Sequence, residues 1–167
     1  MASEESVVRA WANLHFTYRD MSKRLDERLR AESECSLGDV DVLNELHCTP
    51  ERRLQMLTLA DRLGVTRGGL TKIIDRLVER GWVSRDRPAH NRREVHVLIT
   101  DDGSRVLRDA RAVYIRLLTQ TLGAHLDDAA LDDLAASMGK LHQALTGSES
   151  RWSPSPEQSG ESSSRTR

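Results

Sequence analysis

The stretch Leu57-Thr58-Leu59-Ala60-Asp61-Arg62-Leu63-Gly64-Val65-Thr66 decides the fold. Its apolar residues fall at helical spacing, Gly64 stands where a short helix must end, and Val65-Thr66 turns the chain into another. Thr58 and Asp61 are spaced to form a capping box at the start of the first helix. The second helix is expected from Thr66 to Arg80, burying Leu70, Ile73, Ile74, Leu77 and Val78.

Two short helices joined by a glycine-bearing turn form a helix-turn-helix, and the second helix of that arrangement can enter a DNA major groove N-terminus first. Arg67, Thr71 and Lys72 lie near the entering end, and Arg76 follows one turn after Lys72 on a similar face. Their chemistry suits that surface. Arg forks onto guanine, Thr meets a phosphate or a thymine methyl, and Lys brings a point charge.

After Gly81 the apolar period changes from helical to alternating. Residues 82–85 and 94–99 read as two strands, separated by Asp86-Arg87-Pro88-Ala89-His90-Asn91-Arg92-Arg93. A basic hairpin directly after a recognition helix is a wing, whose arginines can reach the narrow, electronegative minor groove. Thr100 then caps a further helix, with Asp101 and Asp102 at its positive end.

Charge agrees with this placement only when it is counted locally. The whole chain of 167 residues has a formal net charge of −1, which by itself suggests no polyanionic partner. Between Arg62 and Arg93, however, nine basic residues face three acidic ones, a local excess of +6 inside an otherwise acidic chain. The composition, 38% hydrophobic and 31% charged, supplies one ordinary core and a soluble surface. No apolar run approaches the roughly 20 residues of a membrane span. Two cysteines, Cys35 and Cys48, exclude a disulfide scaffold and favour a cytoplasmic protein.

Outside the middle segment the chain is helical. Val7, Trp11, Leu14, Tyr18, Met21, Leu25 and Leu29 mark one stripe of a long helix capped by Ser3. Ser36 and Asp39 start a second helix with Val40, Leu43 and Leu46 on its apolar face, ended by Thr49-Pro50. Val106, Ala110, Val113, Leu117 and Thr121 mark another, and Leu131, Leu134, Met138, Leu141 and Leu145 a last one, with Gly123 and a capping Asp127 between them. These stripes pack either within the chain or against a second copy. The fold expected is mainly α with a small β-hairpin wing: a winged helix-turn-helix lobe at 36–100, and a helical dimerisation lobe built from 3–35 and 101–146. The tail at 147–167, rich in Ser and Pro, is expected to be disordered.

Three segments carry a family likeness: Leu59 to Thr66, the run Ile74-Asp75-Arg76-Leu77-Val78-Glu79-Arg80-Gly81-Trp82-Val83, and the wing ending in Thr100-Asp101-Asp102-Gly103. Together they resemble a MarR-type transcriptional regulator over roughly Val7 to Leu145. The resemblance implies a homodimer, an inverted-repeat operator in double-stranded DNA, and repression relieved by a small phenolic or other lipophilic effector. It also assigns Arg93 to the minor groove and leaves Arg92 for a phosphate. Two departures stand out. The family's wing usually has Asp-x-Arg, where this chain has Asn91-Arg92-Arg93, so charge assistance to the arginine is lost. Gly68-Gly69 sits early in the recognition helix, at a cost of about 1 kcal/mol each in a helix interior and less near an end.

Other chemistries are weaker. Cys35 and Cys48 flank a helix roughly 20 Å long, beyond disulfide reach along a straight rod, leaving a redox-sensing regulator that uses one cysteine as an alternative. His15, His47 and Cys48 lack dense metal-ligand spacing, so no metal or other cofactor is expected. Trp11, His15 and Tyr18 are candidates to line an effector pocket, with core and dimer packing the competing reading. No catalytic residues are assigned, because there is no nucleophile elbow and no phosphate-cradling glycine loop. A dimeric protein-interaction module that uses the basic wing on an acidic partner is the remaining alternative.

Overall fold

Ser3 caps a helix of 29 residues, α1 (Glu4–Glu32), its hydroxyl accepting from the Ser6 N–H with Glu4 and Glu5 in the first turn. The computed structural model describes residues 2–87 and 94–147. Only Leu25 and Leu29 of α1 are buried. The expected stripe therefore continues as a helix but meets the core only in its last two turns.

Ser36 and Asp39 form the capping box expected of them and start α2 (Leu37–His47). This helix is buried at Val40, Val42, Leu43 and Leu46, and also at the polar Asp39 and Asn44. It has no single apolar face because it runs through the middle of the core. Asn44 accepts from buried Arg111 at 2.9 Å, which ties α2 to the helix α5 (Asp101–Thr121).

A short strand, β1 (Arg53–Gln55), follows and leads directly into α3 (Met56–Leu63). The box expected from Thr58 and Asp61 does not form. The helix begins three residues earlier, with Gln55 at its N-cap and no side chain capping it, where β1 leads straight into it. Gly64 ends α3 at φ 62°, the left-handed conformation that favours glycine.

Thr66 caps α4 (Arg67–Glu79) by accepting from the Gly69 N–H. Leu70, Ile74 and Leu77 are fully buried and Ile73 packs partly against the core, whereas Val78 lies exposed and is not the core residue expected of it. The wing strands are β2 (Val83–Asp86) and β3 (His96–Ile99), paired antiparallel with Val83 opposite Ile99. Strand β3 is central, in the order β1-β3-β2, and β1 pairs with it antiparallel through Leu54 opposite Val97. The expected hairpin is thus two strands of a three-stranded sheet, and β3 starts at His96 rather than Glu94.

Thr100 caps α5, and Asp127 caps α6 (Asp128–Thr146), which ends on Gly147 at φ 69°. Helix α5 buries Leu107, Ala110 and Val113. Helix α6 buries none of its residues, although its stripe is present in sequence. One continuous core joins Leu29, α2, α3, α4, the sheet and α5. The tail expected to be disordered begins at Gly147, the last described residue, and the rest of it lies outside the described residues.

Candidate nucleic-acid interface

The structure sorts the basic residues of the middle segment into two groups. Four are fastened to the protein itself. Arg62 lies 3.5 Å from Glu45, and Arg85 reaches from β2 to Asp75 on α4 at 2.5 Å. Arg80 donates to the Glu34 carbonyl at 2.8 Å and lies over the Trp82 ring. Arg76 donates to the Asp39 carboxylate at 2.5 Å and to the Ser36 hydroxyl at 3.3 Å.

Arg67, Lys72 and Arg87 are exposed and make no ion pair among the described residues. Arg67 and Lys72 stand on the first turns of α4, where free backbone N–H groups add positive potential. Thr71 is exposed beside them, and its hydroxyl donates back to the Arg67 carbonyl at 2.8 Å. With that proton used inside the helix, Thr71 presents a methyl group and an acceptor outward. Arg92 and Arg93 lie outside the described residues.

Between the start of α4 and the root of the wing lies a cleft of about 520 Å³. Arg67, Leu70, Thr71 and Asp75 from α4 face Arg85, Arg87, Glu94 and Val95 across it, with Gln55, Met56 and Leu57 at its side. The Asp75–Arg85 pair fixes the distance between recognition helix and wing strand. The cleft is therefore walled on two sides by exposed cations on elements held in fixed relation.

The glycine pair resolves into two different positions. A side-chain carbon at Gly69 would lie 3.1 Å from the Thr66 hydroxyl oxygen that caps the helix. At Gly68 it would meet nothing within 4 Å. Gly69 thus belongs to the cap, and Gly68 opens bare backbone to the exterior.

Trp11, His15 and Tyr18 all lie exposed on the solvent-facing length of α1, and none of them lines the cleft. The rings of Trp11 and His15 stack at 6.0 Å, and Phe16 meets His15 edge-on at 5.5 Å. Trp11 is 65% and Tyr18 70% exposed in the single chain. Cys35 is fully buried, and burial together with the nearby Asp39 carboxylate pushes its thiol up to about 11.

A helix-turn-helix followed by an antiparallel wing defines a winged-helix protein. Residues 36–95, from the α2 cap into the wing, match the family model described as MarR family. The structure is similar to that of Sco3205, a MarR family transcriptional regulator from Streptomyces coelicolor solved in complex with DNA: 25% identity, 87% of this chain and 90% of that one covered, TM-score 0.73. It is equally similar to the transcriptional regulator BldR from Sulfolobus solfataricus, with 27% identity, 86% and 99% coverage and a TM-score of 0.73. A mutant of MarR from E. coli, complexed with operator DNA, shares the fold at 23% identity, 84% and 99% coverage and a TM-score of 0.69. No curated protein matches the chain. Residues 36–95 thus match the MarR family model, and the fold as a whole is similar to that of MarR family transcriptional regulators. Among the described residues, no helix is long and apolar enough to cross a membrane.

Proposed function

We propose that the protein is a homodimeric, sequence-specific DNA-binding transcriptional regulator that represses a pseudopalindromic operator and is released from it by a small lipophilic effector. One observation carries this reading: Arg67, Thr71 and Lys72 stand exposed on the capped N-terminal turns of α4, beside a wing held to that helix by Arg85. Helix α4 enters the major groove, where Arg67 reads base edges, Thr71 offers its methyl to thymine and Lys72 meets a phosphate. Arg93 enters the adjoining minor groove and Arg92 a phosphate. The solved complexes of Sco3205 and of mutant MarR with DNA support the reading by likeness of fold.

The dimer rests on the two long helices. Val7, Trp11 and Leu14 of α1 and Leu134, Leu141 and Leu145 of α6 are exposed in the single chain. A second copy would cover them, leaving 36–100 to face DNA and 3–35 with 101–146 to hold the pair. An effector would act by favouring a spacing of the two α4 helices that mismatches the operator. Trp11, His15 and Tyr18 are its candidate contacts, and the cytoplasm its compartment. The burial of Cys35 weighs against the redox alternative at that residue and leaves it to the half-buried Cys48.

Selection from random double-stranded DNA tests the reading. It is expected to return an inverted repeat with half-sites about one helical turn apart, bound with an affinity that falls steeply with salt. Recovery of no palindromic sequence would overturn it in favour of an interaction module.

A further inference from the structure

The nine cations of the middle segment look equivalent in sequence, yet Arg76 is held from behind. Its guanidinium reaches 37 residues back to Asp39, a carboxylate only 2% exposed, and shares the same nitrogen with Ser36. Those two residues are the capping box of α2, with the Ser36 N–H donating to the other Asp39 oxygen at 2.8 Å. One turn further on, at the C-cap of α4, Arg80 donates to the Glu34 carbonyl in the same connection, where Glu34 adopts φ 58°. On the far side of the connection, Asp26 of α1 accepts from the Leu37 N–H at 2.8 Å and from Arg30 at 2.7 Å. An unbroken series of polar contacts therefore runs from the long helix α1, through the start of α2, to the middle of the recognition helix.

We propose that Arg76 is a positioning residue rather than a DNA contact: by holding Asp39 and Ser36, it fixes the pitch of α4 relative to α2 and α1. The inference rests on the DNA-binding reading above and departs from the sequence expectation that Arg76 joins Arg67, Thr71 and Lys72 at the groove. The geometry favours an inward role, because one terminal nitrogen of the guanidinium is committed to a nearly buried carboxylate and to the Ser36 hydroxyl. A fixed pitch matters most in a two-fold assembly, where a small rotation of each α4 changes the distance between the two half-sites read.

The experiment compares wild type, Arg76→Gln, Asp39→Asn and the double variant in the full chain. Asparagine keeps an oxygen for the Ser36 N–H but turns an NH2 donor toward Arg76, so it removes both the charge and the acceptor that hold the guanidinium. Affinity is measured for the selected operator and for operators whose half-site spacing is changed by one base pair, across a salt series. The expected result is that both single variants lose discrimination between spacings, that the double variant is no worse than either, and that the salt slope stays at the wild-type value. Arg76→Lys, which keeps a charge within reach of Asp39, is expected to recover part of the discrimination. A salt slope lower by about 1 in Arg76→Gln, with Asp39→Asn unaffected, would make Arg76 a phosphate contact and overturn the proposal. Equal weakening at every spacing would make the pair merely stabilising and overturn it too.

Hydrogen exchange of the DNA-free proteins gives an arm that needs no operator. The α4 amides are expected to exchange faster in both single variants, and unchanged exchange would overturn the positioning role. If wild type selects no operator at all, the DNA-binding reading fails while this arm still decides whether Arg76 fixes α4.

Discussion

Gly103 lies against the carbonyl of Trp82 so closely that a side-chain carbon there would stand 2.0 Å from the oxygen. The same carbonyl accepts from the Thr100 N–H at 3.1 Å, and the Thr100 hydroxyl caps α5 by accepting from the Gly103 N–H at 3.0 Å. The wing thus joins α5 through a backbone contact that only glycine permits. Gly103→Ala is expected to destabilise the fold by about 1–3 kcal/mol, although alanine is ordinarily the better helix former. Gly68→Ala, placed where nothing crowds it, is expected to stabilise by about 0.4–1 kcal/mol. Urea titrations of the two variants check the opposite signs.

Acid is expected to weaken the fold through His47. Burial lowers its pKa below the ordinary 6.5, helped by Arg52, Arg111 and Arg108, and its Nδ1 is buried without a hydrogen-bond partner among the described residues. Because the native imidazole binds a proton less readily than the unfolded one, its contribution is complete above the ordinary value. It is lost as pH falls through the lowered one. Asp26 adds to the trend. Burial opposes its ionisation, but the bonds from Arg30 and the Leu37 N–H outweigh burial and hold the carboxyl below its usual range. Between about pH 7.5 and pH 5, His47→Gln should lose less stability than wild type. Identical losses in the two proteins would exclude His47 as a cause.

Cys35 is expected to resist oxidation while the protein is folded. Its thiol is buried and pushed up to about 11, so little thiolate exists at neutral pH. Mass spectrometry after mild peroxide should find it unmodified in the native protein and reactive once the protein is unfolded. Sulfenic acid at Cys35 in the folded state would revive the redox reading.

The cation inventory predicts unequal effects on DNA affinity. Lys72→Ala should weaken binding to all sequences alike and reduce the salt slope by about 1. Arg67→Ala and Arg93→Ala should each cost about 1–3 kcal/mol on the selected operator if they meet base edges. Anisotropy titrations on matched and scrambled DNA separate the two classes.

Leu141→Glu and Leu145→Glu are expected to leave a folded, soluble monomer in place of a dimer. Both leucines are exposed on α6, Leu145 at 85%. Sedimentation checks this, and a wild-type chain that is already monomeric at micromolar concentration would remove the dimer mechanism.

What the sequence made legible was local. Ser3, Ser36 with Asp39, Thr100 and Asp127 each cap the helix expected of them, because such a cap needs only a side-chain oxygen and an N–H three residues away, and Thr66, expected as the first residue of its helix, is its cap. Strand β1 was hidden, since Arg53-Leu54-Gln55 holds one apolar residue and becomes a strand only because β3 offers it an edge. The box at Thr58 failed for the same reason: the strand, not a side chain, sets where α3 begins. At the candidate site, the exposure of Arg67, Thr71 and Lys72 followed from helical spacing. The inward turn of Arg76 did not, because its partner lies 37 residues away and is brought near only by folding.

Helix α6 has 19 residues and no buried side chain within the single chain. A helix with so little to rest on draws its stability from whatever covers it. If that cover is a second copy, ordering of the last helix and pairing of chains become one event governed by mass action. In the dilute limit the competent species then grows with the square of chain abundance. Gene dosage becomes an input to the switch alongside any effector.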